Sequence, residues 1–306
     1  MLNPFRPTEL ITAQTFASLP AKFRTKRRTA WSDPNRQGAE VDSFLEGPSF
    51  DRAGNLYVVD IPFGRVFRVT PGGEWELVTR YDGWPNGLKF HRDGRAFIAD
   101  YRAGLMVLDP SAGTVTPLVE TAYSEGFKGL NDLHFAANGD LYFTDQGQTG
   151  IADPTGRVYR LRANGALERL AANVPSPNGI TLNAKNTQVY VAVTRAQQVW
   201  RLPLMADGQP SKTGVAIQLS GGHAGPDGIE MDAEDGLLVC HLGVGVWRFD
   251  ANCLPTHLVH ADGHRLLTNI AFGGADRATL YITDSANGEI LTARAPVAGK
   301  ILFGLA

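Results

Sequence analysis

The sequence predicts an all-β chain folded as a six-bladed β-propeller. Three observations predict it: one motif recurs six times, its copies are spaced like propeller blades, and the chain is rich in turn formers. The motif reads polar residue, short apolar strand, turn, second apolar strand, polar end. Its copies are EGPSFDRAGNLYVVD (46–60), NGLKFHRDGRAFIAD (86–100), NDLHFAANGDLYFTD (131–145), NGITLNAKNTQVYVAVT from Asn178, DGIEMDAEDGLLVCH from Asp227 and NIAFGGADRATLYITD from Asn269. The starts lie 40, 45, 47, 49 and 42 residues apart. That period belongs to blades of about four strands each. The 34 Gly and 18 Pro fit many tight turns between short strands.

Each copy continues into a third strand of alternating pattern: GRVFRV (64–69), GLMVL (104–108), GRVYRL (156–161), QVWRLPL (198–204), GVWRF (245–249) and GEILTA (288–293). A weaker fourth strand follows in most copies, such as WELVTR (75–80) and VTPLVE (115–120). Gly72-Gly73, Asp93-Gly94 and Asn138-Gly139 supply hairpin turns. Residues 1–42 fall outside the repeat, but Ile11–Leu19 alternates like a strand, and the last copy has little chain left for a fourth one. An N-terminal strand is therefore expected to complete the last blade and close the ring, which removes exposed sheet edges. Residues 1–306 then form one domain. The basic run Phe23–Arg28 reads as a solvated loop.

Composition narrows the partners. The chain has 29 basic and 31 acidic residues and a formal charge of −2. That balance argues against nucleic acid or an anionic membrane surface as a partner. No apolar run reaches the length of a membrane span, and the start MLNPFRPTEL lacks the basic-then-apolar order of a secretory leader. Two cysteines, Cys240 and Cys253, are too few for a disulfide framework and read as free thiols of a reducing cytoplasm. No Gly-x-Ser-x-Gly elbow or nucleotide-binding glycine loop is present. Nothing in the sequence demands an oligomer.

The functional signal lies in the first residue of each copy: Glu46, Asn86, Asn131, Asn178, Asp227 and Asn269. Equivalent positions on six blades point at one axis, so six oxygen-bearing side chains should converge at one mouth of the channel. Hard divalent cations prefer that donor set. A single Asn-Gly would read as a turn. Six polar heads in register, one of them a Glu with no turn role, reverse that balance. The Asp residues closing the second strands, such as Asp60 and Asp100, read as Asx-type loop anchors. His241 breaks that second ring and is a candidate for substrate contact or proton transfer. His223 is a further mouth candidate, and His134, between apolar neighbours, reads as a packing residue.

LEGPSFDRAGNLYVVD, SPNGITL (176–182) and GPDGIEMD (225–232), at blade spacing, resemble the SMP-30/gluconolactonase/LRE family, which includes luciferin-regenerating enzyme and Drp35-type lactonases. The resemblance covers the repeat region from Glu46 to about Arg294. It implies a six-bladed propeller with one divalent metal in the channel, held by Glu46, Asn178 and Asp227, and Asn131 near the metal in contact with substrate or water. It implies hydrolysis of lactones of sugar acids or other small hydroxy acids by metal-activated water. Calcium is the first expectation for the metal, and an oxygen-rich site also admits Zn²⁺, Mn²⁺ or Mg²⁺. Asp227 is the expected general base and His241 the proton donor to the leaving alkoxide. Asn86, Asn131, Lys128 and Asn269 are expected at the substrate. Lys128 stands near where the family often carries an arginine. Phe44, Phe63, Trp84, Tyr101 and Phe127 lie in segments that could border the mouth. Two other readings stand beside this one: a phosphotriester or other ester hydrolase on the same metal, and a non-catalytic ligand-binding propeller with a structural ion.

Overall fold

A computed structural model describes residues 7–306. Residues 1–6, part of the start that lacks the order of a secretory leader, lie outside the described residues. Six sheets, each built on four antiparallel strands, form propeller blades numbered 1–6 from the first repeat copy, and a two-stranded ribbon, Thr121–Ala122 with Glu125–Gly126, lies in the chain between blades 2 and 3. The innermost strands of the blades are Leu45–Phe50, Pro85–Phe90, Leu130–Phe135, Pro177–Leu182, Pro226–Met231 and Leu267–Gly273. Each is followed outward by strands that pair in sequence order. The expected third strands are found within a residue or so at either end. Gly94 and Gly139 take φ of 94° and 88° in the hairpin turns, a backbone region that favours glycine.

The inner and second strands are buried on both faces, because each blade packs against two neighbours. Six apolar clusters result, one at each blade–blade junction. Phe97, Ala99 and Val107 of blade 2 meet Leu133, Phe143 and Tyr159 of blade 3. The cluster that closes the ring joins Ala17, Ala271 and Ile290 to Leu45, Val58 and Phe67.

The N-terminal strand closes the last blade as expected: Gln14–Ser18 pairs antiparallel with Glu289–Arg294. One strand was expected and two are found. Glu9–Thr12 adds to blade 5 instead, parallel to Pro255–His260, as a fifth strand. The two N-terminal strands thus bind blades 5 and 6 together at the seam. Past them, the basic run is mostly exposed, although Phe23 packs edge-on to Phe67 at 5.0 Å and Arg24 pairs with Asp42 at 3.0 Å. The chain then makes a short helix, Ser32–Arg36. Among the described residues no helix is long and apolar enough to cross a membrane.

At the opposite end the channel is covered by the C-terminal segment. Phe303 packs on Phe135 at 5.4 Å and on His91 at 5.0 Å. Lys300 reaches inward, its Nζ donating to Thr181 Oγ1 at 3.3 Å and to the Leu182 carbonyl.

Candidate active site on the propeller axis

All six inner strands shift register just at or after their first polar residue. A bulge there breaks the pleat and re-aims the side chain, here toward the axis. In blades 2, 4 and 5 the glycine that follows the head is required by close packing rather than by a turn. A Cβ on Gly179 would lie 2.4 Å from the Asp227 carbonyl oxygen, and one on Gly228 would lie 2.3 Å from the Asn269 side chain. The Asn-Gly and Asp-Gly pairs of blades 2, 4 and 5 therefore sit inside strands, where glycine lets adjacent inner strands approach.

The register corrects one expected head. Leu267 pairs with Asp284 as Pro85 pairs with Asp100, and Ile270 pairs with Ile282 as Leu88 pairs with Ile98. Thr268 is thus the head of blade 6, and Asn269 occupies the position of Gly87 and Gly228. Matching Asn to Asn in the sequence placed that copy one residue late. Asn269 still serves the site: its Nδ2 donates to Glu46 Oε2 at 2.9 Å.

The heads line a cavity of about 320 Å³ at one mouth of the channel, which contains Glu46, Asn86, Asn178, Asp227 and Thr268. Glu46 and Asn178 are buried, and Asp227 and Asn86 are partly exposed. Hydroxyls from the ends of second strands fix three of these heads. Thr144 Oγ1 donates to the Asn178 carbonyl at 2.7 Å. Thr194 Oγ1 donates to the carbonyl of Pro226, beside Asp227, at 2.7 Å. Ser285 Oγ donates to the carbonyl of Leu45, beside Glu46, at 2.5 Å. Each head is thereby anchored to the preceding blade. Asn131 is buried one step back, its Nδ2 donating to Gln146 Oε1 at 2.8 Å. Gln146 lines the cavity and its own Nε2 donates to Ser176 at 2.9 Å.

The electrostatics are those of carboxyls crowded in low dielectric: Glu46 and Asp227 at the cavity, and Asp132, buried next to Asn131, whose charge pushes both of them up and whose own carboxyl burial raises to about 6. Burial pushes the Glu46 carboxyl up from its ordinary 4.5 to about 7, against the pull of the Gly47 amide and Asn269. Burial and the neighbouring Glu46 charge push Asp227 well above its ordinary range, and the Asn178 carboxamide pulls it only partly back. Both shifts mark carboxylates whose negative charge is unmatched by the protein. Among the described residues no three His, Cys, Asp or Glu side chains are grouped to hold a metal. The donor set here is two carboxylates completed by carboxamide oxygens, and it fits a hard divalent cation.

The structure separates the other expected residues. His241 is buried and does not line the cavity. Its Nδ1 accepts from Trp247 Nε1 at 3.3 Å, which leaves Nε2 as the donor to the Gly221 carbonyl at 3.1 Å. Both ring nitrogens are committed, and burial lowers its pKa. The structure therefore does not place it as a proton donor to substrate. His223 does line the cavity. Lys128 is exposed and outside it; its backbone amide donates to Asp145 Oδ1 at 2.7 Å. Of the five aromatics, Phe44 and Tyr101 border the cavity; Phe127 packs against Phe143 and Tyr159. Asp60 and Asp100 anchor loops as expected, accepting from the amides of Phe44 and of Arg102 and Ala103.

Sequence reasoning missed the cap. The helix Ser32–Arg36 lies across the mouth: Trp31 packs on Phe44 at 4.9 Å, and Asn35 Oδ1 accepts from Gln148 Nε2 of blade 3 at 3.1 Å. It brings Trp31, Asn35 and Arg36 to the cavity, and Arg195 joins them from the turn after the second strand of blade 4. No repeat copy contains the cap, so no periodic signal could reveal it.

A second polar layer lies deeper in the channel. Ser49, Lys89, His134, Thr181 and Glu230 occupy equivalent positions three residues past the heads and are all buried. His134 is thus an axial residue rather than one packed between blades. It lies 3.9 Å from Glu230, and burial keeps it neutral. Lys89 lies 3.5 Å from Glu230, and Thr181 Oγ1 donates to it at 3.0 Å.

Known proteins agree with this architecture. Lactonase drp35 of Staphylococcus aureus is 27% identical over 253 residues, covering 78% of this chain and 76% of that protein. The corresponding Staphylococcus epidermidis lactonase is 26% identical over 258 residues, covering 80% and 78%. A calcium-binding regucalcin from Agrobacterium tumefaciens superposes with a TM-score of 0.78 at 23% identity, covering 97% of this chain and 98% of that one. A gluconolactonase from Xanthomonas campestris superposes at 0.74 and 20% identity, covering 95% and 99%. A model of the SMP-30/gluconolactonase/LRE-like region matches residues 44–286, which span the heads of all six blades, and the chain belongs to that family.

Proposed function

We propose that this protein hydrolyses a lactone of a sugar acid or other small hydroxy acid, with a divalent cation held by Glu46, Asn178 and Asp227. The observation that carries the reading is the convergence of two charge-unmatched carboxyls and a carboxamide on the axis of a substrate-sized cavity. The lactonases and gluconolactonases among its relatives support lactone hydrolysis, and the calcium-binding neighbour supports calcium as the ion. Such an ion would supply Lewis-acid polarisation of the ester carbonyl and acidify water beside it.

The chain's own residues do the rest. The Asp227 carboxylate takes a proton from water as the water oxygen attacks the carbonyl carbon. The ring C–O bond then breaks, and the same proton passes from Asp227 to the departing alkoxide. Asn86, at the cavity wall, orients substrate by hydrogen bonds. Asn131 acts through Gln146, fixing which amide edge Gln146 turns toward the cavity. The cap helix restricts water over the reacting carbonyl. The two free cysteines accord with a cytoplasmic setting.

Chelation tests this. Protein stripped with EDTA should lose hydrolysis of glucono-1,5-lactone and dihydrocoumarin, followed by acid release, and calcium should restore it. Full turnover in EDTA would overturn the metal-dependent reading. Turnover of a phosphotriester but of no lactone would move the substrate class. Calcium binding with no turnover of either would favour the non-catalytic propeller.

Thermal stability gives a second test. Glu46 has a folded pKa of about 7, above its ordinary 4.5. In metal-free protein its ionisation therefore costs folding free energy, a penalty absent below pH 4.5 and complete above pH 7. A cation removes the penalty only where the carboxyls ionise. The calcium-induced rise in Tm should be larger at pH 8 than at pH 5. An equal rise at both would place calcium elsewhere.

A further inference from the structure

We infer that the substrate carries a free carboxylate in addition to its lactone ring, and that Arg36 and Arg195 recognise it. This rests on the lactonase reading above. The argument is a charge inventory of the cavity. Its lining acids and bases are Glu46 and Asp227 on the axis and Arg36 and Arg195 toward the mouth, with His223 and Tyr101 as the other titratable groups. Among the described residues neither guanidinium forms an ion pair. Arg36 stacks over the Phe44 ring at 4.8 Å, which fixes its direction while leaving its N–H edges uncommitted. Arg195 is exposed at the rim. Both interact with Asp227 only at longer range.

A divalent cation on Glu46 and Asp227 makes that group neutral and removes the carboxylates as partners for the arginines. Two positive charges then remain on the wall of a confined site. A neutral lactone leaves them unmatched. A carboxylate on the substrate, remote from the scissile carbonyl, meets a planar donor fork suited to it. The two arginines come from different places, the cap helix and the blade 4 turn, and converge only in the fold. The substrate class is therefore the lactone of a diacid, one carboxyl closed in the ring and the other free.

The test compares matched ligands that differ only in that group. With calcium in excess over ligand, calorimetry should show D-glucarate binding at least about tenfold more tightly than D-gluconate, the order of effect of one charge-assisted contact. Arg36→Gln and Arg195→Gln should each shrink that ratio toward one. In turnover, the ratio of KM for D-glucono-1,4-lactone to KM for D-glucaro-1,4-lactone should fall in the same variants, with the loss in KM rather than kcat. Equal binding by wild type, or a ratio kept by both variants, would overturn the inference. Turnover of both lactones without discrimination sinks this inference alone. Discrimination in binding without turnover of either sinks the lactonase reading alone.

Discussion

Replacing Asp227 by Asn should lower kcat for lactone hydrolysis by about 10²–10⁴-fold, the range typical of a lost general base, while raising the Tm of metal-free protein. The two halves have one cause. Asp227 and Glu46 line one poorly solvated site, where burial raises both carboxyls and the Glu46 charge pushes Asp227 up further. At pH 8 the metal-free wild type must still ionise both or hold a proton against bulk solvent, and the amide removes that conflict. The same change removes the oxygen proposed above to accept the proton from water. The Pro226 carbonyl remains tied to Thr194, so the inner strand keeps its anchor. Initial rates by acid release and melts in EDTA give both numbers. Turnover within threefold of wild type would eliminate Asp227 as the base. A lower Tm in EDTA would mean the carboxylate stabilises the metal-free fold.

Glu230→Gln should have the largest effect on folding, a loss of about 3–5 kcal/mol, as when one partner of a buried ion pair is removed. Glu230 is buried in the lower channel among Lys89, His134 and Lys300. Burial alone would raise its pKa. The pull of the Lys89 and Lys300 ammoniums and of the Met231 amide works against this, and the carboxyl lies at about 2. Its folded value lies below the ordinary 4.5, so its contribution is complete above pH 4.5 and is lost as pH falls from 4.5 toward 2. Gln keeps the shape and the bond from Thr181 but leaves the buried Lys89 ammonium and the partly buried Lys300 ammonium without this carboxylate. Urea titrations at pH 7 measure the loss. Adding Lys89→Met should recover part of it, because the double change removes charge from both sides. A loss below 1 kcal/mol would show that water already screens this layer.

Much of this was legible in the chain because a propeller is a repeat. Blade number, strand positions and the ring of heads all follow from period and alternation, which are local properties. Glu46, Asn178 and Asp227 were readable because each heads an inner strand, and the bulge there turns equivalent residues toward the same axis. Asn269 was misplaced by one residue, since only the pairing of Leu267 with Asp284 sets the register. His241 looked chemical because it interrupts a ring of Asp; its bonds to Trp247 and Gly221 come from strand pairing and a distant loop.

The sequence by itself determined the six-bladed ring, its closure by an N-terminal strand and the oxygen-rich heads on its axis. The tertiary structure alone decided what surrounds them: the cap helix that brings Arg36 over the mouth, the turn that brings Arg195 beside it, and the buried layer around Glu230 beneath the C-terminal segment. The physical reason is the range of the forces that encode each. Strand alternation and bulges are set by neighbours a few residues away. Charge matching in a channel is set by side chains far apart in sequence that meet only when the ring closes.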